Sequence, residues 1–191
     1  RTWEIVHPER PGLSMNVNVS ARQLREPGFV DEVARILDYW EVNPSSLVLE
    51  ITESMLMTND PVTAQSIIGL KGVGVKLAID DFGTGYSSLG YVRRFPVDVI
   101  KIDRSFVSPT GGETDLAITR TVVDLAAQIG VCTVAEGVET SEQLTAIRES
   151  GCEFAQGYYF AKPMSAGDAT KLVASLDHTP FASMLSEPAA S

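Results

Sequence analysis

Residues 75–82 read Val-Lys-Leu-Ala-Ile-Asp-Asp-Phe, an aliphatic run that ends in two adjacent acidic residues. A short aliphatic run of this kind is typical of a buried strand in a parallel sheet. Similar runs recur along the chain, and longer amphipathic segments typical of helices separate them. The predicted strands cover 15–19, 47–51, 75–79, 97–102, 131–135 and 154–160. The predicted helices cover 28–41, 62–72, 88–94, 113–130, 141–151 and 166–176.

This alternation of strands and helices predicts an α/β fold with a parallel sheet and right-handed crossovers. Six strand-helix units are present, whereas a closed barrel of eight units typically needs about 250 residues. The chain has 191 residues. The pattern therefore favours either an open six-stranded sheet or a barrel with two units missing. Residues 1–176 form the predicted domain, and residues 177–191, rich in Ala, Ser and Pro, a loose tail.

Composition excludes several classes of protein. The 25 acidic and 15 basic residues give a net charge of -10, which is unsuited to a long nucleic acid partner. A small anionic ligand stays possible if metal ions neutralise its site. Two cysteines do not make a disulfide framework, so we expect reduced thiols and a cytoplasmic location. The two histidines lie in the terminal segments, which argues against a zinc site or a Ser-His-Asp triad.

Polar residues lie at or near the carboxyl end of every predicted strand. In chain order they are Asn16 and Asn18, Glu50 and Glu53, Asp80 and Asp81, Lys101 and Asp103, Glu136 and Glu139, and Gln156. The carboxyl ends of parallel strands meet at one rim, where active sites gather. We therefore expect Asn18, Glu50, Asp80 and Glu136 to converge. Since burying an unpaired carboxylate costs several kcal/mol, the group must share a ligand.

The donors in this predicted cluster are oxygens, which select hard cations such as Mg²⁺ or Mn²⁺. The adjacent Asp80 and Asp81 suit two metal ions, and two ions roughly 3.5–4 Å apart suit phosphoryl transfer. Lys101 is then available to orient a water molecule or to stabilise the charge of the transition state.

Other interpretations of these residues stay open at this point. Lys101 could form an ion pair with one acid, or serve as the Schiff-base lysine of an aldolase-like enzyme. Neighbouring carboxylates raise the pKa of a lysine, which is the wrong direction for Schiff-base chemistry. Glu53 and Glu139 suit a solvated loop or a structural hydrogen bond, and Asp103 suits a cap with Ser105 on the following turn. Only one of the two amide side chains, Asn16 or Asn18, needs to face the predicted site.

The ordered motifs resemble the EAL domain family of cyclic di-GMP phosphodiesterases, from about residue 14 to about residue 165. They are Asn-Val-Ser at 18–20, Glu-Ile-Thr-Glu at 50–53, Asp-Asp-Phe-Gly-Thr-Gly-Tyr-Ser-Ser-Leu at 80–89, Lys-Ile-Asp at 101–103, Ala-Glu-Gly-Val-Glu-Thr at 135–140 and Gln-Gly-Tyr at 156–158. The resemblance implies a TIM-like (β/α) barrel that hydrolyses cyclic di-GMP to linear pGpG with two Mg²⁺ or Mn²⁺ ions. The resemblance also implies that Ca²⁺ binds in place of these ions and inhibits hydrolysis.

The same resemblance implies roles for individual residues. By motif, the metal ligands are Asn18, Glu50, Asp80 and Glu136, with Asp81 serving the second ion. Lys101 positions or activates the attacking water, and Gln156 is similar to the family's site glutamine. Glu53 and Glu139 resemble residues that hold the loop over 81–88, which the family links to dimerisation, so we expect a homodimer.

The sequence departs from the family at one point, because the tripeptide Glu-Ala-Leu, whose Glu is a metal ligand, is not in it. The resemblance therefore predicts an incomplete barrel of about six of eight strand units, with the first strands absent and two sheet edges exposed. We expect weak or no hydrolysis by this chain, and a non-catalytic cyclic di-GMP receptor is the alternative. An upstream sensory or cyclase domain is expected in the parent protein, and a membrane anchor there stays open.

Overall fold

The computed structural model of the chain describes residues 13–58, 60–84, 94–107 and 112–175. The predicted tail over 177–191 lies outside these ranges, as does the predicted helix over 88–94 except for its last residue.

A single parallel sheet of six strands forms the centre of the described residues. The strands are β1 Met15–Asn18, β2 Leu47–Thr52, β3 Lys76–Phe82, β4 Val99–Ile102, β5 Cys132–Ala135 and β6 Phe154–Ala155. Their spatial order is the chain order, and every neighbouring pair is parallel. A doubly wound sheet reverses its strand order at a switch point, whereas a barrel does not. The topology is therefore that of a barrel with six units, with β1 and β6 at the two ends of the sheet.

Seven α-helices connect or flank these strands in the described ranges. They are α1 Ala21–Leu24, α2 Phe29–Tyr39, α3 Glu53–Met57, α4 Pro61–Val73, α5 Gly112–Ile129, α6 Ser141–Glu149 and α7 Ala166–Ser175. Two 3₁₀ turns, Pro44–Ser46 and Arg104–Phe106, precede β2 and follow β4. None of the helices described is long and apolar enough to cross a bilayer.

Local sequence signals account for the starts of the longer helices. Asp60 caps α4 by accepting hydrogen bonds from the amides of Val62 and Thr63, and Pro61 occupies the first turn. Thr140 and Gln143 form a capping box at the start of α6. The observed bounds of both helices lie within two residues of the predicted ones.

The core lies between the sheet and the helices. Its fully buried side chains include Ile51, Leu70, Leu77, Ile79 and Ile100, each worth roughly 1.5–3 kcal/mol of transfer free energy. The two end strands expose apolar side chains instead: Met15 and Val17 of β1 and Phe154 of β6 are 43–49% exposed. These exposures agree with the expected open edges.

The predicted strand over 154–160 is wrong in its extent, because β6 contains only Phe154 and Ala155. The chain turns at Gly157, where a Cβ atom would overlap the main-chain atoms of Val138. The amide of Val138 donates to the carbonyl of Gln156 at 3.1 Å. This close approach ends the strand and brings two loops together at the carboxyl rim.

Candidate metal centre

Strand register places the predicted polar residues on one face of the sheet. Residues paired across neighbouring strands project from the same face of a sheet. The pairs on this face are Asn18 with Glu50, Glu50 with Ala78, Ala78 with Val99, and Lys101 with Val134. Asp80, Lys101 and Glu136 each follow one of these positions by two residues. Because side chains alternate along a strand, they project from the same face at the carboxyl rim.

Lys101 is the centre of the contacts at this rim. Its Nζ lies 2.7 Å from Asp80 Oδ1, 2.7 Å from Glu136 Oε1 and 2.8 Å from Glu50 Oε1. The lysine side chain is only 4% exposed. Asn16 Nδ2 donates to the same oxygen of Glu50 at 2.7 Å. Lys101 therefore pairs with three acids rather than with the single acid of the simpler interpretation.

The charges in this cluster do not balance. One ammonium faces Glu50, Asp80 and Glu136, and Asp81 adds a fourth carboxylate nearby. Carboxylate oxygens of Asp80, Asp81 and Glu136 all lie within 4.8 Å of one another. Groups of like charge at this separation raise one another's pKa unless a cation intervenes.

Burial and neighbouring charge raise the pKa of two of these acids. For Glu136, burial is the largest cause, and the charges of Asp80 and Glu50 add to it against the opposing effect of Lys101. For Asp81, burial again comes first, followed by the charges of Asp80 and Asp103.

The pKa of Lys101 is raised, which keeps its side chain charged. Burial alone would lower the pKa of Lys101, but hydrogen bonds to Asp80, Glu136 and Glu50 outweigh burial and raise it. The lysine is therefore an ammonium ion at neutral pH. A Schiff-base lysine needs a free amine, so this geometry disfavours the aldolase-like alternative.

An unusual backbone conformation brings the two adjacent aspartates to the same place. In a regular strand, Asp80 and Asp81 would point to opposite faces. Asp81 instead has φ 54°, and the register between β3 and β4 shifts between Ile79 and Phe82. The left-handed conformation costs a non-glycine residue roughly 1–2 kcal/mol. Its effect is that both carboxylates reach one cluster.

Two further predicted residues support the loops around the cluster. Glu53 begins α3, is buried, and accepts a hydrogen bond from the Gly83 amide at 3.2 Å through Oε2. It therefore holds the start of the loop after β3, and the part of that loop over 85–88 lies outside the described residues. Asp103 Oδ1 accepts from the Ser105 amide at 3.0 Å, as expected of a cap on this turn.

Glu139 and Gln156 lie at the rim without a described side-chain contact to the Lys101 cluster. The Glu139 amide donates to Gln143 Oε1 in the capping box of α6. The Gln156 amide donates to the carbonyl of Ala135 at 2.8 Å, and its side chain is exposed. Their roles as loop support and as site glutamine stay predictions.

The sequence interpretation preferred Asn18 as the amide ligand, yet the described hydrogen bond to Glu50 comes from Asn16. Asn18 lies opposite Glu50 in the strand register and is exposed at the rim. The two amides are two residues apart on one strand and so share a face. That spacing explains why either amide could serve as the ligand, and the role of Asn18 stays a prediction.

The chemistry of the donors is that of a hard-cation site. Apart from Lys101, the converging side chains offer carboxylate or amide oxygens, which suit Mg²⁺, Mn²⁺ and Ca²⁺. The close spacing of three carboxylates meets the geometric need for a shared ion. The fit therefore rests on the donor set and its convergence.

Comparison with known proteins gives concordant matches. A family model described as "EAL domain" matches residues 2–163. The cyclic di-GMP phosphodiesterase NbdA of Pseudomonas aeruginosa is 42% identical over 153 residues, which are 80% of this chain and 20% of that protein. The chain spans between a fifth and a third of the length of the curated relatives that it matches.

Two solved structures share the fold. The EAL domain of Mycobacterium smegmatis DcpA superposes with a TM-score of 0.79 at 42% identity, covering 84% of this chain and 72% of that one. Klebsiella pneumoniae BlrP1, in its manganese and cyclic di-GMP complex, gives a TM-score of 0.75 at 29% identity. That match covers 85% of this chain and 44% of BlrP1.

Proposed function

Because the chain belongs to the EAL domain family, we propose that it is part of a phosphodiesterase domain whose parent protein hydrolyses cyclic di-GMP to linear pGpG, and that this chain alone has weak activity or none. The observation that carries the proposal is the convergence of Glu50, Asp80 and Glu136 on Lys101, with Asp81 turned toward the same rim. NbdA is named a cyclic di-GMP phosphodiesterase, and BlrP1 was solved with cyclic di-GMP, which supports this choice of substrate.

We propose that the residues of this rim hold two Mg²⁺ or Mn²⁺ ions. The ligands would be Asn18, Glu50, Asp80, Asp81 and Glu136. When bound, divalent cations polarise the phosphodiester and make a water molecule a better nucleophile. Ca²⁺ would bind the same oxygens and permit substrate binding without hydrolysis.

The role proposed for Lys101 follows from its charge. An ammonium ion donates hydrogen bonds but cannot accept a proton, so Lys101 cannot be the general base. It can orient a water molecule by donating a hydrogen bond to the water oxygen, and it can stabilise negative charge on the phosphoryl group. Lys101 is therefore proposed to position the nucleophile and the reacting phosphate.

Residues around the cluster would keep this geometry in place. Glu53 fixes the Gly83 amide, and Asp103 begins the turn after β4. These contacts restrain the chain just after the Asp80–Asp81 pair and just after Lys101. A misplacement of about 1 Å in such a site can cost about a hundredfold in rate.

The test is incubation of the chain with cyclic di-GMP and Mn²⁺, with product analysis by chromatography. We expect little or no pGpG from this chain with Mn²⁺ or Mg²⁺, full hydrolysis by the parent protein under the same conditions, and none from either with EDTA. Calorimetry with Ca²⁺ measures substrate binding alone. Binding without hydrolysis by the parent protein in Mn²⁺ would instead support the receptor function, and the absence of both from the parent protein would contradict either function.

A further inference from the structure

The Lys101 ammonium lies at the point where three acidic side chains meet. Its nitrogen is 2.7–2.8 Å from one oxygen each of Glu50, Asp80 and Glu136. An ammonium has three N–H donors, so these three carboxylates use all of them. The site is thus organised around a cation that belongs to the chain itself.

We propose that Lys101 is a built-in counter-ion that competes with divalent cations for these oxygens and must move aside when a cation binds. This inference rests on the proposed metal site and goes beyond the water-positioning role. It gives Lys101 two positions: one bound to the acids, and one that leaves them free.

Distance and charge both support the competition. Mg²⁺ binds oxygen at about 2.0–2.1 Å and Ca²⁺ at about 2.3–2.6 Å, so an ion bound to the same three oxygens would lie where the ammonium now lies. An ammonium and a divalent cation repel strongly at contact distance in a partly buried site. One set of oxygens therefore cannot hold both cations as it now holds Lys101.

The excess of acids explains why a divalent cation can still displace the ammonium from these oxygens. Lys101 balances one of the three carboxylates that it contacts, and Asp81 adds a further negative charge within the cluster. A cation that binds only the Lys-free arrangement has an apparent affinity reduced by the fraction of molecules in that arrangement. Lys101 therefore sets the metal affinity of the site.

Replacement of Lys101 by methionine tests this competition, since Lys101→Met removes the charge and keeps the length of the stem. The matched control is Lys71→Met, which removes the ammonium that pairs with Asp98 at 2.7 Å elsewhere in the molecule. Mn²⁺ affinity is measured by electron paramagnetic resonance at pH 7. We expect Lys101→Met to bind Mn²⁺ at least tenfold more tightly than the wild type, and Lys71→Met to match the wild type. Equal or weaker binding by Lys101→Met would overturn the proposal.

A measurement on the wild-type chain separates displacement from simple repulsion and does not need the variant to fold. The ¹⁵Nζ resonance of Lys101 is recorded in EDTA and then during titration with diamagnetic Mg²⁺. Its absence in Lys101→Arg identifies the signal. We expect a water-protected ammonium signal that changes its chemical shift and loses its protection as Mg²⁺ saturates the site. A protected signal that stays unchanged at saturation would overturn the proposal.

Neither measurement contains cyclic di-GMP, so its outcome is independent of turnover. If Mg²⁺ displaces Lys101 while cyclic di-GMP is neither bound nor cleaved, the proposed function fails and the counter-ion role stands. If cyclic di-GMP is hydrolysed while the Lys101 signal stays protected, the counter-ion role fails and the proposed function stands.

Discussion

Two lysine ion pairs lie at opposite rims of the sheet and differ in their charge balance. At the amino rim, Lys71 of α4 pairs with Asp98, whose Oδ2 also accepts from the Leu77 amide at 2.8 Å. One cation meets one anion there, and the pair joins a helix to the starts of β3 and β4. At the carboxyl rim, Lys101 meets Glu50, Asp80 and Glu136 and is more deeply buried.

The difference indicates what each rim is for. A balanced pair that also accepts a main-chain hydrogen bond is explained by folding alone. An excess of partly buried acids weakens the fold, because a single ammonium cannot neutralise three carboxylates that have lost part of their hydration. The unbalanced rim also contains the left-handed Asp81. Strain and unmatched charge at one place are typical of a functional site.

The largest expected effect is on hydrolysis by the carboxyl rim. In the parent protein, Glu136→Gln should lower the rate of cyclic di-GMP cleavage by at least about a hundredfold, because it removes a charged ligand from the reacting centre. The free energy of unfolding should change by less than about 1 kcal/mol, since Lys101 keeps two acidic partners. Chromatographic assays and urea denaturation measure the two quantities.

The control for that variant is Glu32→Gln, which changes an exposed acid on α2. It should leave the rate unchanged within about twofold. If Glu136→Gln retained the wild-type rate, Glu136 would have no part in the metal site.

The second prediction compares a glycine from each rim. Gly157→Ala should destabilise the fold by about 3 kcal/mol or more, because the new methyl group would overlap the main chain of Val138. Gly130→Ala, in the turn between α5 and β5, should cost only about 1–2 kcal/mol, since its Cβ meets nothing within 4 Å and only its positive φ is strained. Urea denaturation of both variants measures the two losses in the free energy of unfolding. Equal losses would show that the carboxyl rim is no more tightly packed than the amino rim.

The third prediction exchanges an aspartate at each rim. Asp80→Asn should weaken Mn²⁺ binding by about tenfold or more, whereas Asp98→Asn should leave it unchanged. Asp98→Asn should instead lower the free energy of unfolding by about 1–2 kcal/mol, because Lys71 and the Leu77 amide lose a charged partner. Calorimetric titration and denaturation check the two halves. Weaker Mn²⁺ binding in Asp98→Asn would remove the distinction between the rims.

The smallest expected effect is on the pH dependence of metal binding. The raised pKa values of Glu136 and Asp81 mean that these acids keep their protons at higher pH than ordinary carboxyl groups. A divalent cation must displace those protons, so Mn²⁺ affinity should fall severalfold as the pH is lowered from 7 to 5. Lys101 stays protonated throughout this range and does not contribute. Titrations in matched buffers test this, and equal affinity at both ends would contradict it.

Much of the fold could be predicted because aliphatic runs determine where buried strands lie. The six predicted strands all exist, but β3 continues through Asp80 and Asp81 to Phe82, beyond its predicted end. The pattern of apolar residues cannot show that acidic residues continue a strand and take part in its backbone pairing. The helices α1 and α3 were missed because four or five residues are too few for a helical period. The capping box of Ser20 and Gln23 was the one signal for α1.

The convergence of Glu50, Asp80, Lys101 and Glu136 could be predicted because each stands near the carboxyl end of a parallel strand. The adjacent Asp81 was also expected at this site, but its left-handed conformation could not be predicted, since that depends on the irregular pairing of β3 with β4. The contact of Asn16 with Glu50 likewise depends on side-chain reach and not on register alone.

The most direct test of the metal site is an anomalous difference map from crystals of this chain grown with Mn²⁺. The account predicts a Mn²⁺ peak at the carboxyl rim, bonded to oxygens of Asp80 and Glu136 at about 2.0–2.3 Å, with the Lys101 ammonium moved away from them. Crystals with Mn²⁺ present, no peak at this rim and Lys101 still paired with all three acids would contradict it.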